Sequence, residues 1–193
     1  FAQQDMKRLV AYSSIGHMGF VALGIAAWTP VALSGAILQL VNHGITTGAL
    51  FAIVGMLDER TKSRAISDYG GVWGKAPVLA CFFLLFSMAS AGLPGLNNFV
   101  GEFLILTGSF GTSHIAVVLA FIGVILPLVY TVRLNQEILF QEERKPLQIC
   151  DLTPREGVLL ALLALADIYL GLHPAPLLEM LKAPVALLTG STP

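Results

Sequence analysis

Between Leu9 and Leu57 the chain has no aspartate, glutamate, lysine or arginine. A soluble domain carries about 25% charged residues, whereas this chain of 193 residues carries 12%, against 55% hydrophobic. Charge this scarce excludes an ordinary water-facing surface and makes the chain a membrane protein. The net charge of −1 leaves no basic face for nucleic acid. Cysteine is almost missing too. Cys81 falls in an apolar run and Cys150 in a polar connection, so neither a disulfide framework nor a metal-type spacing is present. The N-terminus lacks an initiator methionine, a basic leader and a cleavage site. Phe1 is therefore not the start of a signal peptide, and the expectation is a piece of a longer polypeptide.

What is present is long apolar runs. A helix crosses the hydrocarbon core in about 20 residues, so the charge-free stretch holds two spans, near 9–27 and 31–56, joined at Trp28-Thr29-Pro30. The aromatic suits a membrane interface and the proline a first helical turn. A charged connection with a Gly70-Gly71 turn follows. The next apolar run, from Pro77 to about Phe110, is too long for one straight helix through a bilayer of about 30 Å. The sequence "GLPG" at 92–95 resolves this, because Pro94 and Gly95 break the helix into two halves. A fourth span is expected near 115–133, kinked at Pro127, and a fifth near 157–173. Beyond Pro174 the tail is interrupted by Pro176 and Pro184 and is expected at the interface. The fold class is thus all-α membrane protein, with about five transmembrane helices and the third one broken. Residues 1–175 form the transmembrane part and 176–193 the tail.

The connections before spans one, three and five carry basic residues, and the other two connections carry none. The basic residues there are Lys7 and Arg8; Arg60, Lys62, Arg64 and Lys75; then Arg144, Lys145 and Arg155. The positive-inside rule places those ends on the cytoplasmic or equivalent side.

Against this background the intramembrane polar residues stand out. An ionisable group at the bilayer centre costs on the order of 3 kcal/mol, so it is rare without a role. His17 and His43 each fall within about 5 Å of mid-depth on antiparallel spans, at about 1.5 Å per residue. Glu102 follows the break, where the N-terminal dipole of the second half-helix favours an anion and burial opposes it. Asn97 and Asn98 are candidates to cap that half-helix. Two histidines and one acid beside unwound backbone describe a polar path for protons. Broken helices occur in membranes only where the freed backbone is buried or lines a hydrated cavity, and they point to ion sites. Simpler roles stand beside this one. A histidine can hydrogen-bond a neighbouring carbonyl, and Glu102 can close an ion pair with a partner subunit. Gln39 and Asn42 read as interhelical hydrogen bonds, and Asp167 as facing either a neighbouring subunit or a hydrated pocket. His114 and His173 lie at span ends, and Gly16, Gly19 and Gly24 suit close helix packing.

Four segments together resemble a known family: "QQDMKRLVAYSSIGHMGFV" (3–21), "LQLVNHGITTGALF" (38–51), "YGGVWGK" (69–75) and "LPGLNNFVGEF" (93–103). They are similar to the proton-translocating, antiporter-like subunits of respiratory complex I. Among these they most resemble the subunit called M, or chain 4, of NADH:quinone oxidoreductase. The resemblance covers about residues 3 to 140. It implies that this chain is the C-terminal part of a fourteen-helix subunit, helices ten to fourteen. His17 and His43 would then lie on its central hydrophilic axis, with Glu102 as the terminal acid at the channel exit. Lys7 would be a solvated or interfacial cation, and the family's helix-five glutamate and channel lysines would lie upstream. No catalytic, cofactor-binding or metal-binding residue is implied, since NADH and quinone are used by the whole complex. The implied partners are neighbouring antiporter-like membrane subunits and the lipid bilayer. The implied location is a bacterial inner membrane, with mitochondrial or thylakoid-type membranes as alternatives. Relatives in cation/proton antiporters usually carry lysine at the position of Glu102, in an "SKD" setting, so "VGEF" favours subunit M. The related subunit of the cyanobacterial and plastid complexes, and subunits of membrane-bound hydrogenases, share much of the pattern and remain alternatives.

Overall fold

The computed structural model describes residues 3–143 and 149–190, so Arg144 and Lys145 lie outside the described residues. Helix α1 (Met6–Ala27) starts where Asp5 accepts from the Arg8 N–H, and α2 (Pro30–Thr61) starts at Thr29, whose hydroxyl accepts from Ala32, with Pro30 in the first turn. After a 3-10 turn (Ile66–Asp68) and the short α3 (Val72–Lys75) come α4 (Pro77–Ser90) and α5 (Asn97–Ser109). The proline at the start of α4 is well placed, because a first-turn residue has no intrahelical acceptor for its N–H. Helix α6 (His114–Asn135) runs on through Pro127 and ends in a π-helical turn, Gln136–Phe140. A capping box of Thr153 and Glu156 opens α7 (Pro154–Leu172), and α8 (Ala175–Thr189) closes the chain.

The helical class and the break near residues 92–95 are as expected, and the count of membrane-length helices differs. Among the described residues, α1, α2 and α6 with its extension to Phe140 are long and apolar enough to cross a bilayer. Helix α7 carries Arg155, Glu156 and Asp167 within 19 residues and does not qualify alone. Together with α8, bent from it by 67°, it is long and apolar enough for a fourth, a geometry shared by broken spans and re-entrant loops. The third expected span is divided between α4 and α5, each too short to cross a bilayer on its own. The tail is also more regular than its prolines suggest. Pro176 occupies the first turn of α8, where a missing N–H is harmless, and Pro184 is carried inside it. Val185 of α8 is buried at 1% exposure, and the helix packs on α2.

The basic connections interlock at one end of the bundle. Residues 4–6 pair with 64–66: Met6 N–H donates to Arg64 O (2.9 Å) and Ile66 N–H to Gln4 O (2.8 Å). The Arg60 guanidinium binds the carbonyls of Cys150 and Asp151 and the Glu156 carboxylate (2.7 Å). Lys75 pairs with Glu143. This places Lys7, Arg8, Arg60, Lys62, Arg64, Lys75 and Arg155 on one face, as the alternation of charge requires.

Packing divides into two apolar clusters with a polar layer between them. The larger cluster lies toward the basic end and includes Met6, Val10, Ile53, Leu57, Tyr69, Phe83, Phe86, Ile138 and Leu160. The smaller joins Phe20, Val21, Ala36 and Ile105. Along α1 the order is Met6 and Val10, then His17, then Phe20 and Val21. Along α2 it is Ala36, then Gln39, Asn42 and Thr46, then Ala49 and beyond. On α5, Asn97, Asn98 and Glu102 precede Ile105. The outer face of α6 is left bare: Ile115, Val118, Leu119, Phe121 and Ile122 are exposed, as lipid-facing residues are. Of the glycines expected at close packing, only Gly24 is: a Cβ there would meet Ala32 O at 2.9 Å and Ala36 Cβ at 3.0 Å. A Cβ on Gly16 or Gly19 would meet nothing within 4 Å among the described residues.

Candidate functional site

The break between α4 and α5 is built from two turns in succession. Helix α4 ends in a Schellman motif: Leu93 N–H donates to Met88 O and Gly92 N–H to Ala89 O, with Gly92 at φ 76°. The next four residues, Leu93-Pro94-Gly95-Leu96, form a type II turn closed by Leu96 N–H to Leu93 O (3.1 Å). Proline stands at its second position and Gly95, at φ 96°, at its third. Both glycines adopt a φ that side chains resist, so the sequence "GLPG" specifies the break completely.

Helix α5 restarts at Asn97 with Leu96 as its N-cap and no side-chain cap. Asn97 and Asn98 are the first two helical residues, so their side chains point away from the orphan N–H groups of their own helix. They turn to α2 instead. Asn42 Nδ2 donates to Asn97 O (2.6 Å), and Asn97 Nδ2 donates back to Asn42 O (3.2 Å). Thr46 Oγ1 lies 3.0 Å from Asn97 Oδ1 and 2.8 Å from Asp167 Oδ1 of α7. Gln39 Nε2 reaches Asn98 Oδ1 at 3.5 Å.

One turn further along α5, the Glu102 carboxyl is 5% exposed. Its Oε1 is 3.0 Å from His17 Nδ1 and 3.5 Å from Gln39 Nε2. Its Oε2 lies 3.0 Å from where a Cβ on Gly92 would stand, so Gly92 serves the turn and the carboxylate at once. The other ring nitrogen of His17 faces Ser90 Oγ at 3.4 Å. The rings of His17 and His43 are 5.1 Å apart, tilted by 43°. His43 is partly buried and contacts Thr47 Oγ1 at 3.2 Å. The sequence-derived residues thus form one contiguous row, His43–His17–Glu102, running from α2 through α1 to α5. An imidazole can take a proton on one nitrogen and release it from the other, so such a row is suited to passing protons.

Gln39 and Asn42 are interhelical hydrogen-bonders, as expected. Asp167 is fully buried, and its carboxyl points at Thr46 of α2. Sequence reasoning does not single out Ser90 or Thr46. A signal for Thr46 exists, because Gln39, Asn42 and Thr46 recur at helical spacing and form one polar stripe on α2. His114 and His173 lie at helix ends and are exposed, as expected. His114 stacks on Phe110 (4.4 Å) and His173 meets the edge of Tyr169 (5.8 Å). Lys7 is exposed, in keeping with a solvated cation. Cys81 and Cys150 are both free.

Residues 1–127 match the family described as "NADH:quinone oxidoreductase/Mrp antiporter, TM". The chain belongs to this family. Among curated members of the NADH:quinone oxidoreductase/Mrp antiporter family, it is 43% identical over 186 residues to "NADH-quinone oxidoreductase subunit M" of Rickettsia felis. That alignment covers 95% of this chain and 38% of the relative. The protein of the same name from Pseudomonas aeruginosa is 42% identical over 183 residues, covering 95% of this chain and 36% of the relative. Among solved structures, one polypeptide of "Respiratory complex I from Thermus thermophilus with bound NADH" superposes with a TM-score of 0.90 at 36% identity. The match covers 98% of this chain and 41% of that one. The chain therefore spans well under half the length of these family members, and its all-helical architecture with a broken helix is theirs.

Proposed function

We propose that this chain is the C-terminal part of the proton-translocating subunit M of an NADH:quinone oxidoreductase. The observation that carries the reading is the buried row His43–His17–Glu102, set in a polar layer between two apolar clusters and ending at a broken helix. The names of the relatives support the same assembly. The chain holds no redox centre in this reading. NADH oxidation and quinone reduction take place elsewhere in the complex, and neighbouring antiporter-like membrane subunits are its partners there. The bacterial relatives favour a bacterial inner membrane.

The geometry suggests how the row works. With Glu102 ionised and His17 neutral, Nδ1–H donates to Oε1; once the ring takes a second proton from the direction of His43, the Nδ1 proton crosses 3.0 Å and leaves a neutral acid beside a neutral imidazole. The imidazole keeps the incoming proton on its other nitrogen, and a change of tautomer restores Nδ1–H for the next step. Glu102 delivers its proton toward the break, where the Gly92 position leaves its second oxygen free of a side chain. Low surrounding polarity makes each unpaired charge costly, which favours single-proton steps over separated ions.

The deciding experiment replaces Glu102 with Gln in the full-length protein within the intact complex. A fall in protons moved per electron supports the reading, and an unchanged ratio sinks it. The second reading is a subunit of a cation/proton antiporter, which the family description also covers. Sodium-driven proton exchange in vesicles without any electron donor would favour it.

A further inference from the structure

Asp167, on the last part of the transmembrane region, is not used by the proton row above, yet it is fully buried. Its surroundings fix its charge by counting hydrogens. Thr46 Oγ1 has a single proton and two neighbours, Asn97 Oδ1 at 3.0 Å and Asp167 Oδ1 at 2.8 Å. The Asn97 oxygen can only accept. Its amide orientation is set at the other end, where Nδ2 donates to the backbone carbonyl of Asn42, which has no proton to give back. If Asp167 were a carboxylate, two acceptors would compete for one hydroxyl proton and one would go without. If Asp167 is a carboxylic acid, its O–H donates to Thr46 and Thr46 donates to Asn97, and both contacts are satisfied. The second oxygen of Asp167 has no hydrogen-bond partner among the described residues. A buried carboxylate oxygen without a donor is far costlier than the carbonyl oxygen of a neutral acid. No side-chain cation among the described residues bonds to this carboxyl: its polar neighbours are the Thr46 hydroxyl of α2 and the backbone N–H of Asn97 on α5, and that N–H can donate to the acid and to the carboxylate alike, so it does not change the count at Thr46.

We infer that Asp167 is a second proton-binding site of this subunit, held as the neutral acid, on the side of the broken helix away from Glu102. The inference rests on the proton-translocating reading for its role and on hydrogen counting for its charge. Loss of that proton takes the acid's O–H away from Thr46. The Thr46 hydroxyl then donates to the carboxylate, and Asn97 Oδ1 is left without a donor. Charge on α7 is in this way converted into loss of a hydrogen bond at the first residue of α5. The proton state of Asp167 therefore sets how firmly α5 is tied to α2 beside the break.

Infrared spectra of the intact complex at neutral pH, with full-length subunit, test this. The expected result is a protonated-carboxyl C=O stretch in the wild type that is missing in Asp167→Asn and retained in Glu102→Gln. Thr46→Val should keep that band and shift it to higher frequency, because the acid has lost its acceptor. A carboxylate stretch in the difference between wild type and Asp167→Asn would overturn the assignment, as would a band unmoved by Thr46→Val. A sodium-dependent change of that band would mark the cluster as a cation site and would likewise overturn it. Protons moved per electron should fall in Asp167→Asn; an unchanged ratio, with the band lost, would overturn the transport role. An unchanged ratio in Glu102→Gln sinks the parent reading and leaves the infrared result standing, so the two failures can be told apart.

Discussion

His17 Nδ1 and Glu102 Oε1 are 3.0 Å apart in an environment where the two residues are 1% and 5% exposed. At that burial bulk solvent does not screen the contact, and the next donor to the carboxyl, Gln39, is at 3.5 Å. Removing the imidazole leaves a buried acid with one weak partner. His17→Ala is expected to cost about 1–3 kcal/mol of stability. Combined with Glu102→Leu, the loss should be smaller than the sum of the two single losses. Thermal unfolding of the solubilised assembly measures this, and strictly additive losses would show that the pair does not interact.

The proton-carrying role proposed for the histidine row can be tested separately from stability. His17→Gln and His43→Gln keep hydrogen-bonding capacity but remove the group that titrates, so each should lower the protons moved per electron. Replacing His17, His43 and Glu102 together by apolar residues discriminates most sharply. If the chain is only a membrane scaffold, proton movement survives in the assembled complex.

Packing of α5 on α2 depends on Gly101, where a Cβ would come within 3.0 Å of Gln39 Cα. Backbone that close cannot move aside cheaply, so Gly101→Ala should destabilise by about 1–3 kcal/mol and push Gln39 from Glu102. Gly16 is the control. Among the described residues a Cβ there meets nothing within 4 Å, and alanine there should be neutral or stabilising by up to about 1 kcal/mol. Equal effects at the two positions in a thermal-shift comparison would contradict the packing described.

Asp151 caps α4 from a distance. Its carboxylate accepts from Val78 and Leu79, the second and third residues of that helix, at 3.0 Å each, and from Leu152 at 2.8 Å. Burial alone would raise this carboxyl. The three backbone donors and the nearby Arg60 guanidinium outweigh it and hold the group below its ordinary value of 3.8. A depressed carboxyl contributes stability above its unfolded value and loses it as the pH falls through the folded one. The gap between wild type and Asp151→Ala should therefore be full at neutral pH, about 0.5–2 kcal/mol. It should close on acidification below about 3.8. A gap that stays constant across that range would remove the charge from the explanation.

Much of the site could be read from the sequence because the membrane makes polar residues conspicuous. His17, His43 and Glu102 stand out against apolar runs, and "GLPG" has one economical backbone solution. Less could be read where a residue's role depends on its position to within one place. Asn97 and Asn98 look like caps, but the helix begins at Asn97 itself, and one residue of shift turns a cap into a bridge to α2. Asp167 could not be placed, because periodicity on α7 does not reveal that Thr46 waits on another helix. The prolines of the tail suggest interruption, although a proline in a first turn breaks nothing and the contact of Val185 with its surroundings keeps α8 in place. The two mid-helix glycines of α1 resemble a packing motif, but a Cβ on either meets nothing within 4 Å among the described residues, because a sequence pattern does not say which helix fills a seam.

Thr29 joins two helices through one hydroxyl, which accepts from Ala32 N–H at the head of α2 and donates to Gly108 O near the tail of α5 (2.8 Å). The exchange between Asn42 and Asn97 fastens the opposite end of α5 to the same helix. A rod pinned at both ends to one neighbour cannot slide along it, and the close approach of the two backbones at Gly101 and Gly108 keeps it from rolling; the motion left is flexing at the joint before it. That joint is residues 91–96, whose two left-handed glycines carry no side chains to obstruct it. Glu102 is thereby held at a fixed depth beside His17, so that in the proposed row the proton moves and the helix that carries the acid does not.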